Sequence, residues 1–163
     1  MHVVAWVWRN IMMTEYQKAE AGLLYQAHLD PEVDKGRRCS QELNYDYNML
    51  RPCQLAERDK MIRDNFGKVG KNCVIEQPFY GDFWERISVG DNFFANYHFV
   101  VLAGNKIEIG DNVTMAPRVH ILCHDASTKT FLNYTKIGRV TIGDNVMFAP
   151  NVGIYAASHP IDP

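Results

Sequence analysis

A six-residue period in the second half of the chain narrows the possible folds more than any other feature. The phrase apolar-Gly-x-Asn recurs as Val69-Gly70-Lys71-Asn72, Val89-Gly90-Asp91-Asn92, Ile109-Gly110-Asp111-Asn112 and Ile142-Gly143-Asp144-Asn145. Within these units apolar or small residues return every six positions: Val89, Ala95 and Val101, then Ile109, Met115 and Ile121, then Ile142, Phe148 and Ile154. Six is neither the helical period nor the alternation of a half-buried strand. It describes a short strand, a sharp corner and the next short strand, with three sides closing one coil of a triangular prism. The apolar residue of each side points inward and stacks on its counterpart one coil away. Gly, Asp and Asn suit the corners because they accept positive φ. A sandwich built on Asn, Asp and Gly turns would not hold this register over three coils.

The distances between corners place the loops. Val69 to Val89 and Val89 to Ile109 are each 20 residues, two more than three plain hexapeptides. Ile109 to Ile142 is 33, which leaves roughly 15 residues to loop out between His124 and Gly138. The stretch His124-Asp125-Ala126-Ser127-Thr128-Lys129 is polar, as an external loop should be.

Ahead of Gly67 the signals are helical. Thr14 with Gln17 reads as a capping box, followed by Tyr16, Ala19 and Leu23 on one face. Asp30-Pro31 is an N-cap with proline at the first helical position, opening a helix that carries Val33 to Leu43. Pro52 opens a third helix, with Leu55, Ile62 and Phe66 on its apolar face and Gly67 as its stop. Three regions follow: residues 1–12 as a disordered extension or mis-assigned start, 13–67 as a helical cap, and 68–163 as the repeat. The apolar opening MHVVAWVWRNIM is shorter than the roughly 20 residues a bilayer span needs and lacks a signal-peptide pattern. An amphipathic membrane anchor is the alternative reading of it.

Apolar residues make up 47 % of the 163 and charged residues 22 %, enough for an ordinary core. The formal net charge of -2, without a long basic run, argues against nucleic acid and anionic membrane as partners. Cys39, Cys53, Cys73 and Cys123 form no C-x-x-C pair or zinc spacing and read as reduced thiols of a cytoplasmic protein.

The order of these elements resembles the maltose, galactoside and nodulation sugar O-acetyltransferases over about residues 13–163. The helical start MTEYQKAEAGLLY and LDPEV resembles that family's cap, ISVGDNFFANYHFVVL its early coils, and VTIGDNVMFAPNVGIYAASHPID its catalytic coil. The resemblance implies a left-handed parallel β-helix, a homotrimer with active sites between subunits, and direct acetyl transfer from acetyl-CoA to a sugar hydroxyl without an acyl-enzyme or a metal. In that family a histidine takes the hydroxyl proton, and an asparagine in the FFAN element, here Asn96, stabilises the oxyanion. By the same resemblance Tyr25 and Asp82 contact the sugar, and Ala149 and Ala157 border acetyl-CoA. The chemistry is consistent. An imidazole titrating near ~6.5 suits proton removal from a sugar hydroxyl, and donors aimed at the developing oxyanion supply much of such a rate.

Two histidines compete for the base. His159, in Ser158-His159-Pro160, is the closer local match, whereas His124, in Cys123-His124-Asp125, resembles the loop of other hexapeptide acetyltransferases. Both follow an Ala-Pro corner, Ala116-Pro117 and Ala149-Pro150. Counting coils favours His124 with Asn96, because one coil before His159 the corresponding residue is Ala116. Deleting about Asn105 to Gly138 would leave an ordinary family sequence in which His159 pairs with Asn96, so an inserted coil also accounts for the tandem. His2, His28, His98 and His120 read as structural or exposed.

Several positions depart from the family pattern. Gln26 and Ala27 follow Tyr25 where an acidic residue is usual, Ala103-Gly104 replaces an Asp, and Trp84-Glu85-Arg86 stands where a Gly-Tyr-Asn-like corner is usual. Family members also continue past the histidine loop with coils that carry much of the acetyl-CoA groove, whereas this sequence stops at Pro163. Competing readings are acetyl transfer to serine or a polysaccharide sugar, a non-enzymatic trimer-forming module, and a carbonic-anhydrase-like metal site using His120 and His124.

Overall fold

The computed structural model describes residues 13–26, 30–125 and 136–156. Residues 1–12, His28, Ala157 and His159 lie outside them. Three helices precede the repeat: α1 (Glu15–Glu20), α2 (Pro31–Met49) and α3 (Leu55–Asn65). Coil one holds β1 (Lys68–Val69), β2 (Val74–Ile75) and β3 (Phe79–Asp82). Coil two holds β4 (Ile87–Val89), β5 (Phe94–Ala95) and β6 (Phe99–Leu102). Coil three holds β7 (Ile107–Ile109), β8 (Thr114–Met115) and β9 (His120–Leu122). An arm made by β10 (His124–Asp125) and β11 (Lys136–Ile137) follows, then coil four with β12 (Val140–Ile142), β13 (Met147–Phe148) and β14 (Gly153–Tyr155).

The coils stack as three parallel sheets: β1-β4-β7-β12, β2-β5-β8-β13 and β3-β6-β9-β14, hereafter faces one, two and three. Register follows the corner spacing read from the sequence, with Val69 against Val89, Val89 against Ile109 and Ile109 against Ile142. The excess between the last two corners leaves as the arm, whose two strands pair antiparallel, His124 against Ile137 and Asp125 against Lys136. The fold is the expected left-handed parallel β-helix behind a helical cap.

The inward column is the core. Ala95, Val101, Met115 and Ile121 are fully buried, and Val89 and Ile109 nearly so. At the corner between faces one and two, Asn72, Asn92, Asn112 and Asn145 all take φ of 55–59°. Their amides bond in a ladder, Asn72 to Asn92 at 2.9 Å, Asn92 to Asn112 at 2.8 Å and Asn112 to Asn145 at 3.0 Å. The asparagine therefore supplies the left-handed residue, and the glycine before it serves close approach. A Cβ on Gly90 would stand 2.6 Å from the carbonyl carbon of Gly110.

The cap covers the first coil. Asn44 and Asn48, one turn apart on α2, each clamp one residue of the edge strand β3. Asn44 accepts from Gly81 N–H at 2.9 Å and donates to Gly81 O at 3.0 Å, while Asn48 accepts from Phe79 N–H at 2.9 Å and donates to its O at 2.8 Å. The Tyr47 hydroxyl donates to Ile75 O at 2.6 Å. These contacts explain why α2 runs to Met49 rather than ending near Leu43. Its last turns satisfy peptide groups that an open edge would leave unpaired. The expected caps are present at Thr14–Gln17 and at Asp30, but α3 begins at Leu55, with Pro52 in the preceding turn.

Candidate active site

The FFAN element crosses the corner between faces two and three. β5 ends at Ala95, the chain turns through Asn96, Tyr97 and His98, and β6 begins at Phe99. Asn96 is half-buried, and its Oδ1 accepts from Tyr97 N–H at 2.8 Å, which leaves Nδ2 as the donor end of the amide. The pairing of Ala95 with Met115 and of Met115 with Phe148 puts Ala116 and then Ala149 in the Asn96 column. His98, Arg118 and Asn151 turn this corner in the left-handed region, at φ of 61–63°. Beside the column lies a cleft of about 460 Å³ lined by Gln77, Pro78, Tyr97, His98, Pro117, Arg118, Pro150 and Asn151.

His124 occupies a different corner. It stands two residues past Leu122, whose ladder partner is Leu102, and opens the arm after face three has been crossed. Within one chain Asn96 and His124 thus sit at the two ends of face three. Six residues of nearly extended chain separate those corners, on the order of 15–20 Å. The coil count used on the sequence fixes the layer of each residue and leaves its side out. His159 and Ala157 fall outside the described residues. Of the other described histidines, His98 is exposed at its corner and His120 is half-buried on face three.

A second cluster lies where the cap meets the coils. Tyr25, Ala19, Val33, Phe83 and Ile137 form a small core of their own, with Tyr16 packed against it. Tyr25 is 5 % exposed, and burial pushes its phenol above the usual value. Arg86 and Arg37 pull the other way, while Asp82 and Cys123 add to the rise. Asp82 ends β3 and is half-buried, next to Phe83 at φ 50° and the 3-10 turn Trp84–Arg86. Tyr25 and Asp82 are thus brought together, away from Asn96. In the sequence Arg86 stands out only as a departure from the family corner. It is 5 % exposed and lies between two rings, its guanidinium carbon 4.0 Å from the Tyr16 centroid and 4.6 Å from that of Phe83. Among the described residues no three His, Cys, Asp or Glu side chains converge as a metal site requires, and no helix is long and apolar enough to cross a membrane. All four cysteines are unpaired.

Comparison with known proteins agrees with the architecture. Residues 18–70 match the maltose acetyltransferase hexapeptide capping motif. Galactoside O-acetyltransferase of Escherichia coli is 33 % identical over 110 residues, covering 68 % of this chain and 53 % of that protein. The crystal structure of a maltose O-acetyltransferase from Clostridium difficile superposes with a TM-score of 0.74 at 34 % identity, over 88 % of this chain and 81 % of that one. A galactoside acetyltransferase in complex with coenzyme A superposes at 0.80 with 28 % identity, over 88 % and 72 %. The chain spans about half the length of the first curated relatives it matches. With the cap, the coil register and the FFAN corner in one order, the chain belongs to the hexapeptide-repeat sugar O-acetyltransferase family.

Proposed function

We propose that the protein transfers an acetyl group from acetyl-CoA to a hydroxyl of a sugar of the maltose, glucose or galactoside class. The observation that carries this reading is the Asn96 corner, where an amide donor borders an open cleft whose neighbouring column is narrowed to Ala116 and Ala149. Small residues there leave room for the pantetheine arm of the donor beside Ala149; Ala157 is assigned to acetyl-CoA by the family resemblance alone. Acetyl-CoA supplies an activated thioester. The protein's part is to hold a base against the sugar hydroxyl and a donor against the thioester oxygen as charge develops there. Asn96 Nδ2–H is that donor. The imidazole removes the hydroxyl proton and returns it to the departing sulfur, so it ends the cycle as it began.

Asn96 and His124 lie at opposite ends of one face, so they would act together only across an interface. We therefore assign the site to a homotrimer. The outer surfaces favour this. Face one presents Lys68, Ser88, Glu108 and Thr141, whereas face two presents Val74, Phe94, Thr114 and Met147, and face three Tyr80, Val100, Leu102, Leu122 and Tyr155 together with the polar Asp82 and His120. Tyr25 and Asp82 are assigned to the acceptor. We place the reaction in the cytoplasm, the reducing compartment that four unpaired thiols suit.

The test is acceptor-dependent release of thiol from acetyl-CoA, with His124→Ala and His159→Ala made separately. The variant lacking the base loses roughly 10²–10⁴-fold in kcat, and Asn96→Ala about 10²–10³-fold. Mixing His124→Ala with Asn96→Ala subunits restores part of the activity if His124 is the base and the site spans two subunits. Intact trimers that release no thiol with any sugar would end this reading.

A further inference from the structure

Arg86 carries an unanswered hydrogen-bonding demand. Nη1 donates to Gly104 O, but Nε and Nη2 have no hydrogen-bond partner although both are buried. Those two groups form the edge of a guanidinium that grips a carboxylate or phosphate with two parallel bonds. A buried cation with that edge unpaired is costly, and among the described residues no carboxylate forms an ion pair with it. Glu85 is exposed and accepts instead from the Tyr16 hydroxyl at 3.1 Å. The rest of the neighbourhood is built to hold the guanidinium in place. Tyr16 and Phe83 wall its faces, the Gly104 carbonyl fixes one end, and the Tyr25 hydroxyl lies 3.7 Å from where a Cβ on Gly104 would stand. This is also the place where Trp84-Glu85-Arg86 replaces the corner usual in the family.

We propose that Arg86 makes this an acceptor site for an anionic sugar, its Nε and Nη2 hydrogens taking a carboxylate or phosphate carried by the acceptor. This rests on the assignment of Tyr25 and Asp82 to the acceptor, and it narrows the substrate class. The anion reaches the edge when the Tyr16 ring, on the six-residue helix α1, turns aside. The hydroxyl to be acetylated then projects away from the cap, toward the interface.

The test follows the Arg86 Nε–H resonance in ¹⁵N-labelled full chain, assigned by its loss in Arg86→Lys. Sodium glucuronate, glucose 6-phosphate, glucose and inorganic phosphate are titrated in turn. A saturable shift with glucuronate or glucose 6-phosphate, and none with glucose, supports the proposal and tells carboxylate from phosphate. No shift with any anion overturns it, as does inorganic phosphate binding as tightly as the sugar anions. In turnover, Arg86→Gln should lower the kcat/KM ratio of anionic to neutral acceptor by about 10- to 100-fold. Thiol release with neutral sugars and a motionless Arg86 signal would sink this proposal alone. Anion binding without thiol release for any sugar would instead sink the acetyl-transfer reading.

Discussion

In coil one, the edge strand β3 meets α2, and the N–H and C=O of Phe79 and Gly81 are taken by two asparagine side chains. In coil four, built from the same apolar-Gly-x-Asn phrase, the equivalent layer is thinly covered among the described residues. Ile142 is 8 % exposed, Phe148 and Ile154 are half-buried, and Met147 is 78 % exposed. Gly90 would drive a Cβ into the coil beyond it, whereas Gly143 has nothing within 4 Å of that point. The comparison teaches that a hexapeptide has no stability of its own. Its inward side chain is worth what the neighbouring coils bury, and its corner glycine matters only when another coil lies on it.

The largest expected break in this contrast comes from aromatic truncation. Phe79→Ala should cost ~3–5 kcal/mol in urea unfolding, because Phe79 is fully buried against Trp84 and Phe99, and Phe148→Ala should cost less than half as much. Equal losses would mean that both coils are equally packed. Next comes the cap clamp. Asn44→Leu leaves Gly81 N–H unmet and removes one of the two partners of both Gly81 C=O and Trp84 Nε1–H, which keep each other at 3.2 Å, a loss of about 1–3 kcal/mol in the same assay. The two glycines give the sharpest paired test. Gly90→Ala should destabilise by roughly 1–3 kcal/mol, and Gly143→Ala should stay within about 0.5 kcal/mol.

The last test concerns pH. Burial pushes the Cys123 thiol up to about 11 and the Cys73 thiol up to about 12. Above pH 9 the unfolded thiols lose protons that the folded ones keep, so stability must fall as pH rises from 9 toward 11. The slope is at most ~1.4 kcal/mol per pH unit for each thiol. Cys123→Ala and Cys73→Ala should each flatten that slope.

Much of the site's scaffold was legible in the residues. The 20, 20 and 33 spacings give the observed register, and the surplus near His124 to Gly138 leaves the prism as the paired arm. The opposed corners of Asn96 and His124 were also within reach. They fall seven and 15 residues past their respective phrases, one full side apart, but counting coils alone hides that difference. Arg86 was not readable in its role. As a charged residue next to Glu85 it carries no sequence signal that it will be buried between two rings.

From the sequence alone came the prism, its register, the site of the arm and the family, because each rests on local periodicity and on residues that favour corners. Tertiary structure alone decided how far α2 runs, which coil is well covered, and that Arg86 is buried with its bidentate edge unpaired. Those outcomes depend on contacts between segments far apart in the chain, where burial and unmet peptide or guanidinium groups outweigh local preference.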